Sequence, residues 1–524
     1  MNEEALKRHK KGVSGRFFTN TFLNYVGQGF VMALTLVTAP YTVHHLGPEL
    51  FGILALVQLT AGFAGLLNLG IGRALTKYVS ELYWKSDFHA INELFQTAWA
   101  TCVIAGAAGL IILIGPKETI GKLFFRGGPE VSSVVGFAIF VAAFGLFTSI
   151  LLEAITALPT ALQRFGICNA VNVVGGVVRS VGPVIVLACG YSIRAVLLVS
   201  LASNMLAVVA FAVISRRLIP GLSLWPKFSP PAFRKLFSFS LPLLLSALFS
   251  LIIVRVDRFI LAYYMPLAAV TFYTLPYSIS EKAQVGVANI TSVVFPFTSE
   301  LHSMGAFDKV HELYLRSTKI LMLVTLPLTA ILVMLPGPIL RYWLGPEYAA
   351  QGAVALTLLG LATFMNAASA IATVSSLGVG QAWLPAASAF VASAISLAAN
   401  LVLIPRYGIN GAAMAALVPQ VVVVPVFVYV VTKMLKFSLW ELISHGFLRP
   451  LLCAGIQAGI LFLFRSSVNS LFSLALLCLL SLCVFGVLSL FGAITREERK
   501  ALFGIPFFAA NKQRTVLSGS STAD

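Results

Sequence analysis

Residues 237–264 read FSFSLPLLLSALFSLIIVRVDRFILAYY and place Arg255, Asp257 and Arg258 inside a long apolar run. At the centre of a bilayer each charge costs roughly 2.5–3.5 kcal/mol, whereas each of the about fifteen Leu, Ile, Phe and Val residues returns roughly 0.3–0.6 kcal/mol. Because a plain membrane anchor has no reason to keep three charges, we expect them to face protein or a water-filled cavity. The next apolar run, 267–295, carries Glu281 and Lys282 near its midpoint. Together the two runs predict a set of buried charges, as in a transporter with a cationic cavity.

The whole chain is strongly apolar. Its 524 residues are 58% hydrophobic and 10% charged, with a mean hydropathy of +0.92, whereas a soluble domain is about a quarter charged. This composition predicts an all-α polytopic membrane protein. The net charge of +17 is explained by membrane orientation and does not indicate nucleic-acid binding. The six cysteines match no disulfide or metal spacing and predict ordinary core packing.

Apolar runs of about 20 residues or more predict fourteen transmembrane helices. The predicted spans lie near 17–43, 49–72, 90–115, 131–158, 164–189, 194–215, 237–264, 267–295, 317–336, 350–375, 383–404, 410–432, 447–464 and 470–493. The first run follows a basic segment and is too long for the core of a signal peptide, so we expect it to be retained as the first span.

Lysine and arginine alternate between the two sides of the predicted membrane. Twenty-five of them fall in the N-terminus, the C-terminal tail and every second connection, and seven fall in the opposite connections. Because cytoplasmic connections carry the excess of Lys and Arg, both termini should be cytoplasmic. This alternation of charge would collapse if a helix in the middle had been miscounted, which supports the predicted number of fourteen helices.

A connection rich in Pro and Gly near the middle of the chain predicts a boundary between two lobes. Two short repeats agree with it, because 191–195 resembles 407–411 and 80–82 recurs as 299–301. Two six-helix lobes in the same orientation place a site at their interface. The predicted parts are a basic N-terminus (1–16), an N-lobe (17–215), a cytoplasmic linker (216–236), a C-lobe (237–436), an extra helix pair (437–493) and a cytoplasmic tail (494–524), partly disordered by composition.

Three groups of motifs carry a family resemblance. Residues 20–81 include LGP at 46–48 and NLGIGR at 68–73, residues 255–258 read RVDR, and residues 404–413 read IPRYGINGAA. These motifs resemble those of bacterial polysaccharide exporters of the Wzx/RfbX type, in the multidrug/oligosaccharidyl-lipid/polysaccharide (MOP) superfamily. The third motif is the most specific. The sequence departs from the family pattern at Tyr273, which follows Phe272 where the family more often has Gly-x-Tyr.

The resemblance implies a two-lobed, V-shaped bundle with a cationic central cavity that works by alternating access. Its implied function is a flippase for undecaprenyl-diphosphate-linked oligosaccharide in the bacterial inner membrane, serving O-antigen, capsule or exopolysaccharide synthesis. It implies no enzymatic activity. The implied partners are the polyprenyl-diphosphate-linked oligosaccharide, the lipid bilayer, a polysaccharide polymerase and chain-length proteins.

A diphosphate that moves through a low-dielectric core needs fixed positive charges, and Arg is suited because its planar fork binds phosphate bidentately. The candidate cations are Arg179, Arg255, Arg258 and Lys282 within apolar runs, and Arg73 and Arg164 at helix ends. The candidate contacts for sugar hydroxyls are Asn24, Gln28 and Asn68. As alternatives, the two helix-end arginines only set topology, and the three amides only hydrogen-bond between helices.

Three acidic residues, Asp257, Glu281 and Glu153, are candidates for coupling transport to H⁺ or Na⁺. The alternatives are structural: Asp257 pairs with Arg258 or Lys282, Glu281 pairs with Lys282, and Glu153 lies at the membrane interface. No Walker-type phosphate loop is present in the sequence, so we expect no ATP site, and we expect no cofactor and no metal. The candidate hinges for alternating access are Pro40, Pro183, Pro242, Pro276 and Pro296.

Rival functions differ in how well the sequence fits them. A glycan polymerase or ligase needs a sizeable extramembrane surface with poised acids or bases, and the largest periplasmic connection here is 116–130. A multidrug antiporter is disfavoured because buried cations repel a cationic drug. A flippase for the peptidoglycan lipid precursor stays open, since it shares the superfamily, the helix number and an anionic lipid substrate.

Overall fold

The computed structural model describes the backbone of residues 3–61, 70–125 and 129–494, and within these ranges it is all-α without a strand. The helices are α1 Glu3–Ala61, α2 Ile71–Trp84, α3 Phe88–Ile114, α4 Lys117–Phe124, α5 Pro129–Ala161, α6 Phe165–Ala188, α7 Ile193–Leu218, α8 Pro230–Tyr264, α9 Leu267–Lys282, α10 Val285–Ser303, α11 Phe307–Met334, α12 Pro336–Trp343, α13 Pro346–Gly378, α14 Trp383–Met434, α15 Leu439–Leu442, α16 Arg449–Phe464 and α17 Leu471–Leu488. A π-helical turn, Ile443–Leu448, joins α15 to α16. In the described residues, ten helices are long and apolar enough to cross a membrane, which confirms the predicted fold class.

Two of these helices are interrupted by a glycine in a non-helical conformation. Gly47 has φ 74° in α1, and Gly408 has φ 55° in α14. In a straight helix, two residues eight positions apart are separated by about 12 Å. Here, by contrast, a Cβ on Gly411 would overlap the carbonyl oxygen of Leu403. The chain therefore turns sharply at Gly408, and α14 contains both predicted spans 383–404 and 410–432. The α1 helix likewise covers the first predicted span and much of the second, so fourteen spans are compatible with the fold.

The structure corrects the eighth predicted span. Residues 267–295 form two helices, because α9 ends at Lys282 and α10 begins at Val285. The carbonyl of Gln284 starts the hydrogen bonding of the second helix by accepting from the N–H groups of Val287 and Ala288. Glu281 and Lys282 were expected near the middle of a span and instead lie at the end of α9.

The described chain forms two compact units that alternate along the sequence. The first unit consists of residues 1–282, 340–362 and 383–424, and the second of 283–339, 363–382 and 425–524. In the first unit, α1, α5, α7 and α9 share one apolar core, and α2, α3 and α5 share another. In the second unit, α11 packs against α10 and α16. The division into two six-helix lobes stays a prediction.

The predicted linker is anchored to its own unit. Its non-helical part is 219–229, between the end of α7 and the start of α8. The backbone N–H of Ser223 donates to Asn92 at 2.9 Å, and the Ser229 hydroxyl donates to Glu93 at 2.7 Å. Ile219 is fully buried in the core that α2, α3 and α5 share. This stretch is therefore bound along the start of α3.

Candidate functional site

Asp257 lies at the centre of a polar cluster on α8. Its side chain is 4% exposed. One carboxylate oxygen accepts the backbone N–H of Arg258 at 2.8 Å, and the other accepts the hydroxyl of Tyr273 at 2.5 Å. Tyr273 is fully buried on α9, so this hydrogen bond joins the two helices. Charge-assisted hydrogen bonds of this kind stabilise a buried carboxylate that burial would otherwise penalise.

Arg258 is held by aromatic rings. Its guanidinium carbon lies 3.8 Å from the ring centroid of Tyr277 and 6.0 Å from that of Tyr273. The side chain is 5% exposed, and its Nε has no hydrogen-bond partner among the described residues. In the same part of the chain, no carboxylate lies within 4.0 Å of this guanidinium. Cation–π contact holds the positive charge in place, and Asp257 and Glu281 interact with it electrostatically.

Arg255 lies one helical turn before Arg258 and is half-buried. Its Nη1 donates to the backbone carbonyl of Leu59 at 3.4 Å. Glu281 is exposed and interacts electrostatically with both arginines. Within the described ranges, neither Glu281 nor Lys282 takes part in an ion pair within 4.0 Å. The interacting groups of the cluster on α8 and α9 are therefore the two arginines, Asp257 and Glu281, together with Tyr273 and Tyr277.

The other predicted cations lie in different surroundings. Arg179 on α6 donates from Nη1 to the Ser203 hydroxyl of α7 at 3.4 Å. Arg73 near the start of α2 interacts electrostatically with Glu153 of α5, and α2 approaches α5 closely where Gly72 meets the Glu153 backbone. Arg164 is exposed at the N-terminus of α6. The roles of these residues stay predictions.

The predicted amide contacts are only partly described. Gln28 is an exposed side chain of α1. The side chain of Asn24 and the whole of Asn68 lie outside the described residues. Sugar binding by these three residues stays a prediction.

All five predicted hinge prolines lie inside helices, which are α1 for Pro40, α6 for Pro183, α8 for Pro242, α9 for Pro276 and α10 for Pro296.

Pro40 has the most distinctive surroundings. Because proline has no N–H, the carbonyl of Leu36 loses its helical donor. The indole N–H of Trp343, on α12, donates to that carbonyl at 2.8 Å. A side chain about 300 residues away in sequence thus satisfies the group that the proline frees.

Three contributors to this region have no candidate role in the sequence patterns, which are Tyr273, Tyr277 and Trp343. Tyr273 was noted only as a departure from a family pattern. One signal was available, because Tyr273, Tyr277 and Glu281 are spaced four residues apart and therefore share one face of α9. All three interact with Arg258. Trp343 gave no such signal, since its partner is a backbone carbonyl in a distant helix.

Comparison with known proteins places the chain in a family. The family model of polysaccharide biosynthesis proteins matches residues 17–302, which is more than half of the sequence and includes α8 and α9. The chain belongs to this family. It is 23% identical over 399 residues to a Shigella flexneri protein named "Putative O-antigen transporter", an alignment that covers 76% of this chain and 93% of that one. It is also 26% identical over 249 residues to an uncharacterised membrane protein of Methanocaldococcus jannaschii, with 44% of each chain covered.

Solved structures show the same fold. An inward closed structure of the lipid II flippase MurJ matches with a TM-score of 0.69 at 15% identity, covering 89% of this chain and 98% of that one. An inward-facing multidrug resistance transporter of the MATE family, in the MOP superfamily, matches with a TM-score of 0.63 at 14% identity, covering 78% and 96%. This family member is therefore a multi-pass membrane protein with the fold of MOP superfamily transporters.

Proposed function

We propose that this protein is a flippase that moves undecaprenyl-diphosphate-linked oligosaccharide across the bacterial inner membrane. The observation that carries the proposal is the pair of cations Arg255 and Arg258, neither of which forms an ion pair within 4.0 Å in the described residues. Glu281 interacts electrostatically with both, and Asp257 with Arg258, which leaves room for an anionic ligand at closer range. A buried charge of this kind is costly unless a ligand compensates it. A diphosphate is the chemical complement of two arginines one helical turn apart.

The family and the relatives support transport rather than catalysis. The Shigella relative is named for O-antigen transport, and the proteins of similar fold are a flippase and multidrug transporters. We therefore infer that this chain is not an enzyme and that its substrate belongs to surface polysaccharide synthesis. In this proposal both termini are cytoplasmic, and a polysaccharide polymerase and chain-length proteins receive the flipped product.

The direct test is transport in proteoliposomes with a fluorescent undecaprenyl-diphosphate oligosaccharide. A hydrogen bond to a charged group contributes about 1.5–3 kcal/mol, so Arg255→Gln should lower the rate at least about tenfold. Arg316→Gln is the matched control, because Arg316 is an exposed arginine that pairs with Glu312. The same loss in both variants, or in neither, would contradict a substrate role for Arg255.

The driving force is tested in the same vesicles. We propose that an H⁺ or Na⁺ gradient or the membrane potential drives transport, with Asp257 or Glu281 as the coupling group. Asp257→Asn and Glu281→Gln should then reduce the response of the rate to an imposed gradient. Unchanged gradient dependence in both variants would remove the coupling role.

The choice between two lipid-linked substrates is tested in cells. Deletion of the gene should abolish a surface polysaccharide while growth continues. Lysis of the deletion strain would instead indicate transport of the peptidoglycan precursor.

A further inference from the structure

A groove runs between α6 and α7, outside the cluster on α8 and α9. It encloses about 380 Å³, which is within the size range of small-molecule sites. Small residues create the space, since Gly175 on α6 and Ala207 and Ala210 on α7 line it. Its rim is formed by Val174 and Leu206, which are 63% and 61% exposed. The groove is therefore apolar and open along one side.

The exposed side chain of Arg179 lies beside this groove, next to two of its lining residues. The Nη1 atom of Arg179 lies 3.4 Å from the Ser203 hydroxyl and 3.4 Å from the point where a Cβ would lie if Gly175 had one. Ser203 and Gly175 both line the groove. Ser203 in turn donates to the Gly175 carbonyl at 3.1 Å. In the described part of the chain, no carboxylate lies within 4.0 Å of Arg179.

The depth of Arg179 limits what the charge can reach. It lies nine residues before the end of α6, a 24-residue helix, so its Cα is about 14 Å along the axis from the nearer end. An arginine this far from a helix end reaches the headgroup region only with its side chain fully extended. Instead, its guanidinium lies beside an apolar groove near the middle of a predicted span. This combination suits an amphiphile with an anionic group next to a long apolar chain.

We propose that this groove binds a segment of the polyprenyl chain of the carrier lipid in an early bound state, in which the diphosphate contacts Arg179 before it passes to Arg255 and Arg258. The inference rests on the proposed function and deepens it by assigning a separate place to the lipid tail. Because lipid tails are as apolar as the lining residues, the groove adds packing contacts rather than a hydrophobic driving force. The contact between diphosphate and Arg179 therefore supplies most of the affinity, and the groove selects the shape of the chain.

The test measures binding to the purified full-length protein in nanodiscs. The probes are undecaprenyl diphosphate, phosphatidylglycerol and inorganic diphosphate. Val174→Trp fills the groove from its rim, and Arg179→Gln removes the charge. Val209→Trp is the matched control, because Val209 lies on α7 outside the lining and is 60% exposed.

Each outcome supports or overturns the site. We expect Arg179→Gln to weaken undecaprenyl diphosphate binding about tenfold, the size of one lost charged hydrogen bond. Val174→Trp should weaken the same binding by a smaller factor through lost packing contacts, and Val209→Trp should bind as the unmodified protein does. Of the two groove variants, only Arg179→Gln should weaken the binding of inorganic diphosphate. Undiminished binding by Val174→Trp, or equal competition by phosphatidylglycerol, would overturn the inference.

Transport measurements distinguish this inference from the proposed function. If the unmodified protein flips oligosaccharide and Val174→Trp binds the carrier normally, only the groove assignment fails. If carrier binding depends on the groove but no oligosaccharide is flipped, the flippase function fails and the carrier site stands.

Discussion

Removing the hydroxyl of Tyr273 tests whether the bond to Asp257 holds α8 and α9 together. Tyr273→Phe leaves the fully buried ring in place and deletes the donor that lies 2.5 Å from the carboxylate. Asp257 then keeps the backbone N–H of Arg258 and loses its side-chain donor. A hydrogen bond to a charged group contributes about 1.5–3 kcal/mol, so the free energy of unfolding should fall by about 2 kcal/mol.

The assay is denaturant unfolding of the protein in detergent, analysed as a double-mutant cycle with Asp257→Asn. The matched control is Tyr314→Phe, because Tyr314 is 1% exposed and its hydroxyl has no hydrogen-bond partner among the described residues. We expect Tyr273→Phe to cost clearly more than the control, with a coupling energy of at least about 1 kcal/mol to Asp257. Equal costs for the two tyrosines, or a coupling energy near zero, would refute the reasoning.

Two further changes probe the packing of α1. Gly52→Ala should lower the free energy of unfolding by about 1–3 kcal/mol, since the new Cβ would lie 2.5 Å from a backbone carbonyl oxygen of α9. The control is Gly29→Ala, whose new Cβ meets nothing within 4 Å and which should therefore be neutral or stabilising. Thermal unfolding in detergent compares the two variants. Trp343→Phe should lower the free energy of unfolding by about 1 kcal/mol, because it removes the donor to the Leu36 carbonyl. In a Pro40→Ala background the loss should be smaller, because the restored backbone N–H of residue 40 donates to the same carbonyl. A cost of Trp343→Phe that is independent of Pro40 would show that the indole acts through packing alone.

The charges on α8 could be predicted because their cost in lipid is a local property of the sequence. Arg255, Asp257 and Arg258 stand out against their apolar neighbours whatever they contact, so the expectation that they face protein needed no knowledge of the fold. Their partners could not be derived in the same way. That Tyr273 donates to Asp257 and Tyr277 covers Arg258 depends on how α9 is rotated against α8, which packing across the whole unit decides.

The break after Lys282 shows a second limit of sequence analysis. Residues 267–295 have the hydrophobicity of one span, and hydropathy averages over about 19 residues. Such a window smooths over two turn residues, Ala283 and Gln284, that separate α9 from α10. By contrast, the turns at Gly47 and Gly408 fall in the gaps 44–48 and 405–409 between predicted spans, and glycine adopts the positive φ found there without steric cost.

The alternation of the two compact units along the chain has a consequence for biosynthesis. Residues 1–282 leave the ribosome first, but their unit also needs 340–362 and 383–424. At about 5–20 residues per second, translation delivers the last of these segments roughly 7–28 s later. During that interval the nascent N-terminal helices stay incomplete, open to membrane chaperones and proteases. A ribosomal pause within residues 283–424 should therefore lower the yield of mature protein more than a pause of equal length after them.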